Sequence, residues 1–249
     1  MSRALFLSPH LDDAVFSAGG LVHALTRAGW GVTVATVFTR SVPDPKGFAL
    51  ACQTDKGLPA DLDYMAVRRA EDRLACARLG AEALHMDFEE APHRGYEDAS
   101  ALFGGLRADD DAARRIAPAL AALAGDEQPD LLALPQGLGG HVDHLAVIEA
   151  AAPLAARLPT LTWRDAPYVT RLPDPAPAEA ATPINLGAKV WASSAYATQL
   201  GFQFGGCEPM VALLESFALV EGRGTPAEGF GASDPAARRV LETVAGVLA

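Results

Sequence analysis

The 249-residue chain is poor in long apolar runs, in cysteine and in positive charge. No uninterrupted apolar segment approaches the ~20 residues that a membrane-spanning helix needs, and the apolar residues 4–7 are too few for the core of a signal peptide, which takes about seven to fifteen. Because the 20 Lys and Arg are outnumbered by 31 Asp and Glu, clustered phosphate contacts are not expected. We therefore expect neither a nucleic-acid partner nor a membrane partner.

Cysteine is scarce as well as scattered. Cys52, Cys76 and Cys207 are an odd number, lie far apart and form no Cys-x-x-Cys pair. This pattern argues against a disulfide framework or a cysteine zinc site and favours a reducing interior. We expect a cytoplasmic protein.

What the chain has is an alternation of apolar runs and helical patterns. Half of the residues are hydrophobic, which is enough for one globular domain over residues 1–249. Strands are predicted at residues 3–8, 31–38, 83–88 and 129–135. Helices are predicted at residues 13–27, 64–79, 110–123 and 143–158. Strands that alternate with helices indicate an α/β fold with a Rossmann-like, doubly wound, mostly parallel sheet in three layers.

The rest of the chain has weaker patterns. Residues 39–60 and 173–183 are rich in Pro, with Gly in the first segment and Ala in the second, and read as loops. We expect a strand over residues 161–169 and helices over residues 187–202 and 234–248.

The first polar cluster follows the first predicted strand directly. Residues 8–20 read SPHLDDAVFSAGG, so His10, Asp12 and Asp13 lie where a strand ends and a helix begins. Open α/β sheets place their ligands at this edge. His10 and Asp13 are three residues apart in the turn, so both side chains can reach one point above the sheet. Asp12 diverges from its neighbour and is better placed to take a proton from a metal-activated water.

A second cluster, His141-Val142-Asp143-His144, follows the fourth predicted strand. His144 would complete a His-Asp-His ligand set, since a catalytic zinc keeps three protein ligands and one open position. His141 would face the opposite side of the site, where it can stabilise an oxyanion or protonate a leaving amine. Asp143 would hold the free nitrogen of one histidine and fix its tautomer.

Each cluster also has an ordinary structural interpretation. Asp12 or Asp13 can serve only as the N-cap of the following helix, and a His-x-x-His pattern recurs by chance on surfaces. The conjunction is more specific, because both clusters follow apolar strands and open helices. Together they hold three of the six histidines.

With these motifs the chain resembles the PIG-L/LmbE family of zinc-dependent de-N-acetylases. The resemblance is carried by PHLDD at residues 9–13 with the Gly pair at residues 19–20, and by HVDH at residues 141–144. Residues 68–71 (RRAE) resemble the family's Arg-x-x-Glu helix, and residues 87–94 (DFEEAPHR) its acidic-residue loop. Residues 196–199 (YATQ) are a weaker echo. The resemblance covers roughly residues 3–155.

The resemblance implies His10, Asp13 and His144 as metal ligands, Asp12 as general base and His141 as the group that stabilises the oxyanion and assists the leaving amine. It implies Zn²⁺, with another divalent metal such as Fe²⁺ suiting the same ligands. The implied reaction removes an N-acetyl group from a small amino-sugar substrate, glucosamine-type, or its glycoconjugate, and releases acetate. The substrate-binding residues would be Arg68, Glu90 and Arg94.

The chain departs from the commoner family motif at three positions. Leu11 stands where the family has Pro, and Ala14 where it has Glu, as in a PHLDD-type branch; Glu90 stands where the family commonly has Asp. These changes leave the metal set intact and the identity of the sugar open. The sequence also leaves the oligomeric state open, a homo-oligomer included.

Two other functions compete with the deacetylase. A metal-dependent phosphoesterase also uses Asp and His, but usually with two metals about 3.5–4 Å apart and more ligands than the chain offers. A non-catalytic Rossmann-like sugar- or nucleotide-binding module would need Gly-rich phosphate chemistry after the first strand. Here that turn holds carboxylates, and the Gly pair lacks the G-x-G-x-x-G spacing. Metal content separates the module from the enzymes, and the released product separates the two enzymes.

Overall fold

The computed structural model describes residues 1–232 and 234–248, and within them the strands form one mixed sheet. The strands are β1 (Arg3–Ser8), β2 (Gly31–Thr36), β3 (Glu82–His85), β4 (Leu131–Pro135), β5 (Thr160–Trp163), β6 (Ala180–Pro183) and β7 (Ala227–Gly231). Their order in the sheet is β3-β2-β1-β4-β5-β7-β6. Strands β1 to β5 pair in parallel, and β7 pairs antiparallel with both β5 and β6.

Helices connect these strands. They are α1 (Asp13–Arg27), α2 (Gly47–Thr54), α3 (Tyr64–Leu79), α4 (Ala112–Glu127), α5 (Val142–Ala155), α6 (Leu186–Ser193), α7 (Ala197–Phe204), α8 (Cys207–Glu221) and α9 (Pro235–Leu248). Among the described residues, no helix combines the length and the apolar character that a bilayer crossing demands.

The sheet is buried on both faces, which explains why its central strands are continuously apolar. In β1, Ala4 and Phe6 point into the core that holds α1, α3 and α9, whereas Leu5 and Leu7 point into the core that holds α4 and α5. Successive side chains of a strand point to opposite faces, so a strand between two helical layers needs apolar residues at every position. This arrangement confirms the predicted doubly wound, three-layer α/β fold.

The strand order has a reversal at its centre. The chain runs outward from β1 through β2 to β3, then returns to place β4 on the other side of β1. The crevice outside the carboxyl ends of two such strands is where open α/β sheets bind ligands. Both sequence motifs follow these two strands, so the topology brings them to one place.

Several segments differ from the sequence expectation. The strand expected over residues 161–169 is confined to β5, and residues Tyr168–Arg171 form a 3₁₀ helix. The predicted loop at residues 39–60 contains α2, and the predicted loop at residues 173–183 contains β6. The predicted helix over residues 187–202 is two helices, α6 and α7. Helix α8 and strand β7 were not expected; β7 reads AEGFG, a composition of low intrinsic strand propensity. Backbone pairing with β5 and β6 on both sides stabilises this strand despite its low propensity.

Candidate metal centre

The turn between β1 and α1 is held by hydrogen bonds that leave one carboxylate unused. The Asp13 Oδ2 atom accepts from the backbone N–H of His10 at 2.8 Å. The Ser8 hydroxyl donates to the His10 carbonyl at 2.7 Å and accepts from the N–H of Ala14 at 3.1 Å. Asp12 occupies the N-cap position but makes no capping hydrogen bond with its side chain. The helix is therefore started without the Asp12 carboxylate, which stays available to the site.

Three side-chain atoms converge beside this turn. The Asp13 Oδ2 atom lies 3.1 Å from His10 Nδ1 and 3.1 Å from His144 Nε2. Zinc ligands at about 2.0–2.2 Å in a tetrahedron stand about 3.3–3.5 Å apart, so this spacing fits one cation among the three atoms. His144 Nε2 is buried and has no partner of hydrogen-bond geometry in the described part of the chain. Two ligand atoms that point at the same cation lie close together without a hydrogen bond between them, as His144 Nε2 and Asp13 Oδ2 do here.

His141 lies next to this group. Imidazole nitrogens of His10, His141 and His144 all lie within 4.8 Å of one another, and the three residues are buried. The Nδ1 atom of His141 accepts from the backbone N–H of Asp143 at 3.2 Å, which leaves Nε2 for the site. Burial and the neighbouring His10 lower the pKa of His141 to about 3.

Each of the two histidines beside Asp13 is braced by a second carboxylate. Asp143 Oδ2 lies 2.8 Å from His10 Nε2, and Asp165 Oδ1 lies 2.6 Å from His144 Nδ1. In each ring one nitrogen is thereby occupied and the other faces Asp13. Although burial lowers it, the pKa of His144 rises to about 9 because Asp13 and Asp165 stabilise its positive charge. The pKa of His10 is also raised, against burial, by Asp13 and Asp143. The pocket thus favours positive charge, as a cation site requires.

Asp165 is a member of the site that sequence reasoning missed. It follows β5 by two residues, so it emerges at the same edge of the sheet as the two motifs. The sequence signal that could have identified it is a carboxylate just after a strand, as in the first motif. Its Oδ2 atom also accepts from the backbone N–H of Leu138 at 2.9 Å, which ties the loop after β4 to the loop after β5.

Asp12 has its own set of contacts. Its Oδ2 atom accepts from Gln203 Nε2 at 3.0 Å and lies 3.6 Å from Arg68 Nη2. Burial raises the pKa of Asp12 to about 7, against the lowering effect of Arg68. Gln203 is a second residue that sequence reasoning missed, since a lone Gln late in the chain has no motif to mark it.

Arg68 and Glu90 connect Asp12 to a cavity. Arg68 is 5% exposed, and its Nη1 donates to Glu90 Oε1. Glu90 also lines a cavity of about 580 Å³. Apolar and acidic side chains contribute most of the wall, among them Val42, Pro43, Asp44, Asp61, Leu62, Asp63, Tyr64 and Met65. Of the three residues predicted to bind substrate, Arg68 therefore lies next to Asp12, and Glu90, which is paired with Arg68, opens onto free volume.

Arg94 is placed differently from the other predicted substrate residues. Its guanidinium donates to Asp143 Oδ1 at 2.8 Å, to Asp110 Oδ2 at 3.0 Å and to the carbonyl of Glu89 at 2.7 Å. The side chain is 7% exposed. These contacts favour a role in holding Asp143 over the predicted contact with substrate.

The fold and this pocket define an α/β protein with a buried imidazole–carboxylate centre at the switch point of its sheet. The chain belongs to the PIG-L family, because the family model described as GlcNAc-PI de-N-acetylase matches residues 5–155. This match confirms the resemblance predicted from the motifs. Gln203 and Asp165 lie outside the matched region.

Individual relatives agree with the family. The chain is 35% identical over 171 residues to the 2′-N-acetylparomamine deacetylase of Streptomyces fradiae, an alignment that covers 67% of this chain and 57% of that relative. Among solved structures, the deacetylase of the antimicrobial A40926 pseudoaglycone is 29% identical with a TM-score of 0.79, over 93% of this chain and 96% of that one. The zinc-inhibited form of the teicoplanin deacetylase is 25% identical with a TM-score of 0.77, over 94% of this chain and 100% of that one.

Proposed function

We propose that this protein is a metal-dependent deacetylase that hydrolyses the N-acetyl group of an amino sugar or its glycoconjugate. The observation that carries the proposal is the convergence of three side-chain atoms beside the Asp12 carboxylate, which does not cap α1. These atoms are His10 Nδ1, Asp13 Oδ2 and His144 Nε2. Membership of the PIG-L family supports it. So do the deacetylase activities named for the relatives.

His10, Asp13 and His144 are the proposed metal ligands. A divalent cation bound there supplies a Lewis acid that polarises the acetyl carbonyl and makes water a better nucleophile at neutral pH. Asp143 and Asp165 hold the outer nitrogens of the two histidines, so the ring orientation and tautomer are set before any ligand arrives.

Asp12 is the proposed general base. Its Oδ1 atom accepts a proton from the attacking water while the water oxygen bonds to the acetyl carbon. The C–N bond then breaks, the proton passes from Asp12 to the amine nitrogen, and the free amine and acetic acid leave, the acid ionising to acetate in water. Asp12 suits this role because its side chain is buried and does not cap the helix.

His141 is the proposed oxyanion-stabilising group. Because its Nδ1 atom accepts from the N–H of Asp143, the neutral ring carries its hydrogen on Nε2. That N–H can donate to the carbonyl oxygen as negative charge develops on it, and the same ring is close enough to assist the leaving amine. His141 is therefore proposed as a catalytic group and not as a fourth ligand.

Zn²⁺ is the proposed metal, since two imidazoles and one carboxylate are typical of zinc centres. Fe²⁺ accepts the same donors, and one related deacetylase is described in a zinc-inhibited form. The chelated protein, reloaded with Zn²⁺, Fe²⁺ or Co²⁺ in turn, should recover turnover with one equivalent of the native metal. Full activity of the chelated protein would contradict metal dependence.

The proposed substrate places its acetamide at the centre and the rest of the sugar toward the cavity beside Glu90. One relative is named for 2′-N-acetylparomamine and another for the pseudoaglycone of the antimicrobial A40926. A panel should therefore contain N-acetylglucosamine, an N-acetylated aminoglycoside and a glycopeptide that bears N-acetylglucosamine, with a phosphate ester as counter-test. Acetate release from one of the amides with no phosphate release supports the deacetylase. Phosphate release alone would favour the phosphoesterase, and metal-independent binding without turnover would favour the sugar-binding module.

A cytoplasmic location is also proposed, and whether the chain forms a homo-oligomer is left to experiment. The first is supported by the absence of a cysteine pattern that would indicate disulfides, and the three cysteines are free in the structure. Sedimentation measurements would test the second.

A further inference from the structure

Gln203 brings a polar group from the last quarter of the chain to the centre. Its Nε2 atom donates to Asp12 Oδ2 at 3.0 Å, from near the end of α7. Arg68 Nη2 lies 3.6 Å from the same oxygen. The hydrogen bond from Gln203 and the ion pair with Arg68 therefore both fall on Oδ2.

We propose that Gln203 is a positioning residue for Asp12, an inference that rests on the proposed deacetylase function. A carboxylate held at one oxygen by a hydrogen bond and an ion pair has its rotation about the Cβ–Cγ bond restricted. The other oxygen, Oδ1, then keeps a fixed direction from which it accepts the proton of the attacking water. Gln203 acts through Asp12 and needs no contact with the acetyl group.

The helix that carries Gln203 is fixed on the helix that carries Arg68. Glu71 on α3 accepts from the backbone N–H of Thr198 at 2.8 Å and from its hydroxyl at 2.7 Å. Gln199 Nε2 donates to the Tyr64 hydroxyl at 2.8 Å. Helices α3 and α7 therefore form one frame, which sets the positions of Gln203 and Arg68 relative to each other.

An aromatic contact fixes the same helix to α1. The rings of Phe204 and Phe16 lie 5.0 Å apart edge to face, and Tyr196 contacts Phe16 at 5.3 Å. Helix α1 begins at Asp13, directly after Asp12. Base and positioning residue are thus both tied to α1, so the 3.0 Å hydrogen bond does not depend on a mobile loop. This frame also accounts for the YATQ segment, whose Tyr, Thr and Gln side chains dock α7.

The test is the substitution Gln203→Met, which keeps the side-chain volume and removes the amide group that donates to Asp12. With the acetylated substrate that the panel identifies, we expect kcat to fall about tenfold, the cost of one hydrogen bond to a charged group, and KM to change less than about twofold. Metal content and the unfolding midpoint should match the wild type. Glu208→Gln, an exposed position in the first turn of α8, serves as the matched control and should leave kcat unchanged.

A double-mutant cycle separates positioning from a general structural effect. In the Asp12→Asn background, Gln203→Met should cost less than about twofold, because residues that act as one unit are not additive. A second readout needs no turnover. In protein labelled with ¹⁵N-glutamine, the side-chain amide signal that Gln203→Met removes should shift in Asp12→Asn.

The outcomes divide cleanly. The positioning role would be overturned by a wild-type kcat in Gln203→Met or by a change confined to KM. It would also be overturned if kcat fell equally in the wild-type and Asp12→Asn backgrounds, or if the Gln203 amide signal did not shift in Asp12→Asn. A wild-type protein that deacetylates nothing in the panel would instead overturn the proposed function, and the amide shift would still report on the hydrogen bond.

Discussion

Asp165 Oδ1 and His144 Nδ1 lie 2.6 Å apart, and this contact joins the end of the fifth strand to the proposed metal centre. With a metal bound, the ring nitrogen that faces Asp165 would carry the hydrogen, and the opposite nitrogen would present its lone pair to the metal. This assignment comes from the hydrogen-bond partners, and Asp143 makes the same arrangement with His10. The two braces, Asp165 after β5 and Asp143 in the first turn of α5, converge on the proposed cation site.

Removing the charge of Asp165 should weaken metal binding without unfolding the protein. In Asp165→Asn the side chain retains one acceptor oxygen, so it cannot serve both His144 and the backbone N–H of Leu138. We expect metal affinity to fall about 10- to 100-fold, measured by competition with a chelator of known affinity. The matched control Asp174→Asn, at an exposed position, should bind metal like the wild type. An unchanged metal affinity in Asp165→Asn would show that Asp165 does not support the metal site.

Asp12 and His10 should fail in different ways. Asp12→Asn keeps the three proposed ligands and loses the base, so metal content should stay near one equivalent while kcat falls about 10²- to 10⁴-fold. His10→Ala removes a ligand and should lose the metal. Metal analysis and acetate release, measured on the same samples, check both. Wild-type turnover in Asp12→Asn would show that the base lies elsewhere.

The ligand set itself is testable, because two sets share His10 and His144. One adds Asp13, whose oxygen lies 3.1 Å from both rings, and the other adds His141, within 4.8 Å. If Asp13 is the ligand, Asp13→Asn loses the metal, whereas His141→Gln retains it and loses about 10²- to 10³-fold in kcat, as for an oxyanion-hole donor. The reverse pattern of metal loss would assign His141 as the third ligand.

The Gly pair in α1 should tolerate substitution at one position only. A Cβ added at Gly20 would lie 2.5 Å from Ile184 Cγ2 and 2.9 Å from Glu228 Oε1, whereas one added at Gly19 meets nothing closer than 3.5 Å. We expect Gly20→Ala to lower the free energy of unfolding by about 1–3 kcal/mol through overpacking. Gly19→Ala should raise it by up to about 1 kcal/mol through helix propensity. Urea unfolding of both variants compares them directly, and equal effects would contradict the packing argument.

Metal removal should destabilise the folded protein. A ligand that binds only the native state adds about 4 kcal/mol at a free concentration of 1,000 times its Kd. The thermal midpoint should therefore fall when a chelator is added to the loaded protein and rise again with the metal. Asp13→Asn provides the control, since its midpoint should not respond to the metal. A midpoint that responds equally in Asp13→Asn would place the stabilising ion at another site.

Much of the fold follows from local pattern alone. The predicted bounds of β1, α1 and α3 coincide with the observed ones, because a strand covered on both faces is continuously apolar and an amphipathic helix repeats every 3.6 residues. Where such a signal was absent, the prediction failed. The segment of α2, which lies among Pro and Gly, was predicted as a loop, and β7 was not predicted at all. Their conformations depend on tertiary contacts that local sequence does not encode.

The amino-acid sequence determined the motifs, the alternation of strands and helices, and hence which residues leave the sheet at its carboxyl edge; His10, Asp13 and His144 meet because parallel strands end on one side. Only the tertiary structure decided what surrounds them. Asp165 and Gln203 reach the site from distant segments, and Arg94 is turned to Asp143 by partners that lie far apart in the chain. Hydrogen bonds between distant segments depend on the packing of whole elements, and a one-dimensional pattern carries no record of that packing.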